Sequence, residues 1–291
     1  MSKKLVALSL LMLAKSASAT VVTGFDAFDS TNWHMAHGWT NGYPTLNGWR
    51  ADHVTFDQGV MTITLDDQKS AQPGDPAWFF PGADYTSGEY RSNEWLQYGR
   101  YEVSMKPAKA SGVISSFFMF TGPVDDTVNP LPSGSRPWDE IDIEFLGNDT
   151  TKVQFNYFAN GHVAGSEFVH DLGFDAADSF HTYAFEWRPD RLDWYVDGQL
   201  IHSVTEGPLP STNGRLMMDV WAAHSDLETW AGPFNYTGPV SAQYDWVNYT
   251  PLSELKTSPV PIPPAAGSFA LGILALAGWK RRQKERSKPP A

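Results

Sequence analysis

Between residues 20 and 250, apolar side chains recur at every second position in short runs, and no long stretch keeps a helical period. Val60-Met61-Thr62-Ile63-Thr64-Leu65 alternates cleanly. The run 192–196 leads into Asp197-Gly198 and then 199–202. An Asp-Gly pair between two such runs predicts a hairpin, because both turn residues must reach positive φ. Further strands are expected at 101–105, 113–120, 141–146, 153–158, 182–187, 216–220 and 243–249. This many strands predict a sandwich of two antiparallel sheets built as one domain. The segment 122–137, with its four prolines, reads as a loop.

The two ends differ from this middle. Lys3 and Lys4, the apolar run 5–13 and Ala17-Ser18-Ala19 have the order of a secretory signal peptide, residues 1–19. Residues 251–291 hold a stiff Pro-rich spacer, an uncharged stretch at 265–279 and a basic tail. Fifteen residues at about 1.5 Å each span roughly 22 Å, short of the ~30 Å hydrocarbon core. The tail is therefore expected to be a sorting tag or an anchor. The order of spacer, apolar run and basic cluster resembles the C-terminal sorting tags of exported Gram-negative proteins, and with the signal peptide it implies a protein outside the cytoplasm, extracellular or in the cell envelope of a Gram-negative bacterium.

Charge divides the chain in the same way. The net charge is −12, yet the two ends carry +3 and +5, so residues 20–250 carry −20. Such a surface repels nucleic acid and anionic polymers and suits a neutral partner. The chain has no Cys, which excludes disulfides, thiolate metal sites and Cys nucleophiles. No zinc-protease, phosphate-loop or nucleophile-elbow motif is present.

One strand concentrates the chemistry. In Trp138-Asp139-Glu140-Ile141-Asp142-Ile143-Glu144-Phe145, alternation puts Glu140, Asp142 and Glu144 on one face and Ile141, Ile143 and Phe145 on the other. Glu140 and Glu144 lie about 13 Å apart at Cα, at ~3.3 Å per residue. Leaning together, their carboxyls would come within about 5–6 Å, close to the ~5–5.5 Å of a retaining glycosidase and short of the ~6.5–9.5 Å of an inverting one. Asp142 between them would help to separate their pKa values. On the residues alone, a solvated acidic face is the more usual reading of such a charge run. Calcium binding by the three acids is a lesser one, since a straight strand does not converge its oxygens.

Glu140-Ile141-Asp142-Ile143-Glu144 resembles the signature of glycoside hydrolase family 16, and the surrounding chain is similar to its lichenase branch. The likeness covers nearly all of 24–250. It is strongest at Glu89-Tyr90-Arg91-Ser92, 101–109, 115–118, 138–147, 150–157 and 180–185. The resemblance implies an all-β jelly-roll sandwich of two antiparallel sheets with a concave substrate cleft. It implies Glu140 as nucleophile, Glu144 as general acid/base and Asp142 as assisting carboxylate. Trp138, Asn41, Glu89, Arg91, Phe118, Asn156 and Trp221 would line the cleft, aromatic faces covering the sugar and polar groups binding its hydroxyls. Catalysis would need no cofactor, and one structural Ca2+ would sit on the carbonyls of Ala27 and Gly59 with Asp245.

The expected activity is therefore endo-hydrolysis of mixed-linkage β-glucan by a monomer. A laminarinase-type β-1,3-glucanase and a non-catalytic, lectin-like sandwich are the alternatives. Departures from the family pattern are Phe158 for a Tyr, Asp219 for an Asn, Gly48 and Ser87 where relatives carry a disulfide, and a longer loop at 124–137.

Overall fold

The computed structural model describes residues 21–75, 83–123, 137–161 and 167–255. The expected signal peptide, the tail and the long loop at 124–136 lie outside the described residues. Two large antiparallel sheets form the body. The first orders β15 (Gln199–Val204), β14 (Arg191–Val196), β13 (His181–Arg188), β8 (Gly99–Lys106), β17 (Val240–Pro251), β5 (Val60–Leu65) and β4 (Val54–Asp57), with β1 (Val21–Gly24) also paired to β17. The second orders β12 (Phe168–Asp171), β11 (Lys152–Phe158), β10 (Asp139–Leu146), β9 (Val113–Thr121), β16 (Arg215–Ala222), β7 (Glu89–Ser92) and β2 (Trp33–Met35).

The expected hairpin joins β14 to β15, with φ of 46° at Asp197 and 75° at Gly198. β3 (Asn47–Trp49) and β6 (Tyr85–Ser87) pair in parallel beside the main sheets and set Gly48 opposite Thr86, next to Ser87. A Cβ on Gly48 would lie 2.5 Å from both Cβ and Oγ of Ser70, so any side chain there would force Ser70 to shift.

The sheets bury one face each against the other. Ile141, Ile143 and Phe145 of β10 are fully buried in this core. Rings interlock across it: Phe117 meets Phe185 at 5.8 Å, Phe145 meets Tyr183 at 4.8 Å, and Phe155 stacks on Trp194 at 5.9 Å. Two of the buried aromatics also bond main-chain carbonyls across the same layer. The Trp194 indole donates to the Asp142 carbonyl at 3.1 Å, and the Tyr244 hydroxyl to the Ser116 carbonyl at 3.2 Å. A strand buried on this face cannot slip by one residue without turning its carboxylates into the core.

Candidate active site

With the core face fixed, the outer face of the second sheet is read row by row from its register. One row runs Asn156, Asp142, Phe118, Met217, Arg91 and His34. The next runs Gln154, Glu144, Ser116, Asp219 and Glu89. On the other side, Phe158, Glu140, Phe120 and Arg215 form a third. This face is not a solvated one. Asp142 is 4% exposed, Asn156 5%, Glu89 3% and Asp219 5%, so polar side chains floor a recess. The register of β10 with both neighbours runs without a bulge through Glu144.

The start of β10 is pinned by Asp139. Its buried carboxylate accepts the backbone N–H groups of Asn160 at 2.7 Å and of Ser211 and Thr212 at 2.9 Å. The Gly161 N–H also donates to the Trp138 carbonyl at 2.7 Å. These bonds set the Trp138 ring, which stacks on Phe158 at 4.9 Å and donates its indole N–H to Glu140 Oε2 at 2.7 Å. Trp138 remains 41% exposed, an aromatic surface open beside the acids.

Burial penalises the charged form of each acid, but unequally. Burial raises Glu140 to about 7, opposed by the Trp138 hydrogen bond, which favours the anion. Burial, then the charges of Glu140 and Glu167, raises Glu144 to about 8. Asp142 is pushed well above the usual carboxylate range by burial and then by Glu140, Glu144 and Asp219. Asp219 is raised by burial, then by Glu89, with a Ser116 hydrogen bond pulling the other way. Both glutamates are thus held above the usual carboxylate range, and the Trp138 indole on Glu140 favours its anion, the bias that a nucleophile needs.

The expected cleft residues fall around these acids. Asn156 and Phe118 flank Asp142 directly, on either side of β10. Arg91 lies over the Trp39 ring at 5.1 Å and near Glu89 Oε1 at 3.7 Å. Asn41 is exposed in a loop, its amide oxygen accepting from the Trp49 indole at 3.0 Å. Trp221 sits one row beyond Asp219, with Trp230 at 6.0 Å. Trp39, Gln154 and Trp230 were not expected from the sequence. Each reaches the site from a loop, a neighbouring strand or a short helix, with no local pattern that marks it.

The residues expected to hold calcium lie on the other sheet. β1 pairs Gly24 with Trp246, and β5 pairs Met61 with Tyr244, so Asp245 falls between the end of β1 and the start of β5. That brings Ala27, Gly59 and Asp245 to one neighbourhood, and the Asp26 carboxylate is 3.5 Å from the place of a Gly59 Cβ. Among the described residues no cluster of three or more His, Cys, Asp or Glu could hold a metal. A cation there would rest on main-chain carbonyls with few carboxylates. Such hard oxygen donors fit Ca2+.

A sandwich that carries two partly buried glutamates and a buried aspartate on one strand defines a two-carboxylate glycoside hydrolase. The model of glycosyl hydrolases family 16 matches residues 45–248, and the chain belongs to that family. It is 47% identical to a beta-glucanase of Brevibacillus brevis, over 80% of this chain and 82% of that protein. Its fold is similar to a beta-1,3-1,4-glucanase (lichenase) derived from a mouse hindgut metagenome, with a TM-score of 0.71, 38% identity and coverage of 81% of this chain and 100% of that one. A Bacillus licheniformis beta-glucanase matches with a TM-score of 0.68 and 42% identity, over 81% of this chain and 99% of that one.

Proposed function

We propose that the protein is an endo-β-glucanase that cleaves mixed-linkage β-1,3-1,4-glucan with retention. The observation that carries this reading is the pair of glutamates on one face of β10, with the Glu140 carboxylate held toward its anion by the Trp138 indole. In the first step the Glu140 carboxylate attacks the anomeric carbon, the glycosidic C–O bond breaks, and Glu144 gives its proton to the departing oxygen. In the second, Glu144 takes a proton from water, the water oxygen attacks the same carbon, and Glu140 leaves as carboxylate. One water is consumed and the configuration is inverted twice. Asp142 lies buried between them, its own carboxyl raised by burial and then by the charges of Glu140 and Glu144.

The uninterrupted five-residue acid strand and the 38–47% identity to lichenase and beta-glucanase relatives favour the mixed-linkage substrate over laminarin. The cleft reading assigns Trp138, Asn41, Glu89, Arg91, Phe118, Asn156 and Trp221 to sugar binding. The domain plan is a signal peptide at 1–19, the catalytic domain at 20–250 and a sorting or anchoring tail at 251–291. On this plan the protein is exported and acts as a monomer on a neutral polysaccharide. A structural Ca2+ at Ala27, Gly59 and Asp245 would brace the first sheet. Reducing-end release from lichenan, laminarin and cellulose tests the reading. Turnover greatest on lichenan is expected. Turnover greatest on laminarin would move the protein to the β-1,3-glucanases, and none on any would leave a binding module.

A further inference from the structure

Asp219 on β16 and Glu89 on β7 stand directly opposite each other, in the row that holds Glu144 two strands away. Met218 and Val220 beside Asp219, and Tyr90 beside Glu89, enter the core, so alternation turns both carboxyls to the cleft. Directly opposed residues on neighbouring strands hold their Cβ atoms about 4.5–5.5 Å apart. Exposure is 5% at Asp219 and 3% at Glu89, so the two acids share one nearly enclosed volume. The family pattern has an Asn at position 219, which would bring no charge. This chain places a second carboxyl there.

The surroundings supply little positive charge. From β7, Arg91 Nη1 lies 3.7 Å from Glu89 Oε1. From β2, His34 faces Arg91, and burial, then the charges of Arg91 and Arg215, hold its ring toward the neutral form. Arg215 on β16 bonds the Ser92 carbonyl at 2.7 Å. β9 offers the Ser116 hydroxyl, and β10 adds the negative fields of Glu144 and Glu140. On the core side the Tyr244 hydroxyl donates to the Asp219 main-chain carbonyl at 3.3 Å. β5 and β6 pack there too and carry no charged residue. Arg91 therefore answers one carboxylate of the pair but not two.

The pair is also unfinished as a hydrogen-bonding group. Asp219 Oδ1 and, in the adjoining row, Arg91 Nε are buried without a hydrogen-bond partner. An open acceptor beside an open donor suits a sugar hydroxyl, which can serve both. A neutral glucan lying over the pair would displace its water and bring no counter-charge, so a second negative charge would become costlier on binding.

We propose that Asp219 and Glu89 act as one acid pair holding a single proton, that glucan binds the cleft only while the proton is held, and that the pair sets an alkaline limit on binding separate from the limit that Glu144 sets on bond cleavage. The proposal rests on the glucanase reading. Asp219 is here a binding residue. Burial and the charge of Glu89 both favour its protonated form.

E140Q, which keeps the cleft and lacks the nucleophile, separates binding from turnover. Calorimetry with a β-1,3-1,4-glucan tetrasaccharide, in two buffers of different ionisation heat, reads both affinity and protons taken up. In E140Q, affinity should fall toward alkaline pH by up to about tenfold per unit, the limit for one linked proton, with uptake of a proton from the buffer. In E140Q/D219N the uptake should drop by close to one proton and the affinity should hold to higher pH. Glu144 titrates in both proteins, so the difference belongs to residue 219. E140Q/E89Q removes the second charge from the other strand and should likewise hold its affinity, which keeps the test decisive if the amide at 219 does not fold. Melting curves report the folding of each variant. An E140Q protein that takes up no proton, or the same pH dependence with and without the second carboxyl, would overturn the proposal. A wild type inactive on lichenan, with no tetrasaccharide bound by E140Q at any pH, would instead overturn the glucanase reading, and this proposal with it.

Discussion

The Trp138 indole N–H donates to Glu140 Oε2 at 2.7 Å, across two residues of the same chain. Residues two apart on a strand share a face, so the ring lies beside the carboxylate that it polarises. The bond supplies the one influence in the site that favours the anionic Glu140, against a burial that opposes it.

Trp138→Phe should therefore raise the pKa of Glu140. The nucleophile must be ionised, so the acidic limb of kcat/KM moves to higher pH, by about 1 on the pH scale for a bond worth ~1.4 kcal/mol. A pH–rate profile on lichenan checks it. An unmoved acidic limb would mean that Glu140 is not the group titrating there.

Glu144→Gln should separate activity from stability. Loss of the general acid lowers kcat on lichenan by about 10²–10⁴-fold. The folded pKa of Glu144 lies above its unfolded value, so its contribution to stability is complete below about 4.5 and is lost as pH rises through about 8. The variant should thus gain Tm over wild type at pH 8 and lose that advantage toward pH 4.5. Melting curves across that window decide it.

Asp219→Asn should stabilise the fold at neutral pH. Asp219 is paired directly with Glu89 across β16 and β7, both are buried, and Oδ1 of Asp219 has no hydrogen-bond partner. Its folded pKa is raised, so its contribution falls as pH climbs from 3.8. The amide removes that dependence. The gain in Tm should be clear at pH 7 and vanish near pH 4. A loss at pH 7 would contradict the account of this pair.

Gly48→Ala should cost about 1–3 kcal/mol of stability, the usual penalty of overpacking. The added methyl would meet Ser70 at 2.5 Å in the pairing of β3 with β6. Urea denaturation measures it, and an unchanged midpoint would show that Ser70 yields freely.

The longer strands were legible because alternation needs several residues to declare itself. β5 is found at its expected bounds, and β10 with its three outward carboxylates keeps the expected faces. β2, β3 and β6 have three residues each, too few to show a period. The acid triplet was legible as a pattern, but its burial was not. Asp142 is flanked by Phe118 of β9 and Asn156 of β11, and the row continues across β16 and β7, which are distant in sequence. The same holds for Trp230 and Gln154, which meet only because β11 and the turn after β16 converge. Asp139 is visible as part of the acidic motif. Its role in holding three backbone N–H groups is visible only once residues 160, 211 and 212 are placed around it.

The central claim is that Glu140 carries the sugar through a covalent intermediate. The direct measurement is to inactivate the protein with a fluorinated activated glucan disaccharide and map the label by mass spectrometry of its peptides. The account predicts one glycosyl ester, on Glu140. A label on Glu144 or Asp142 would contradict it.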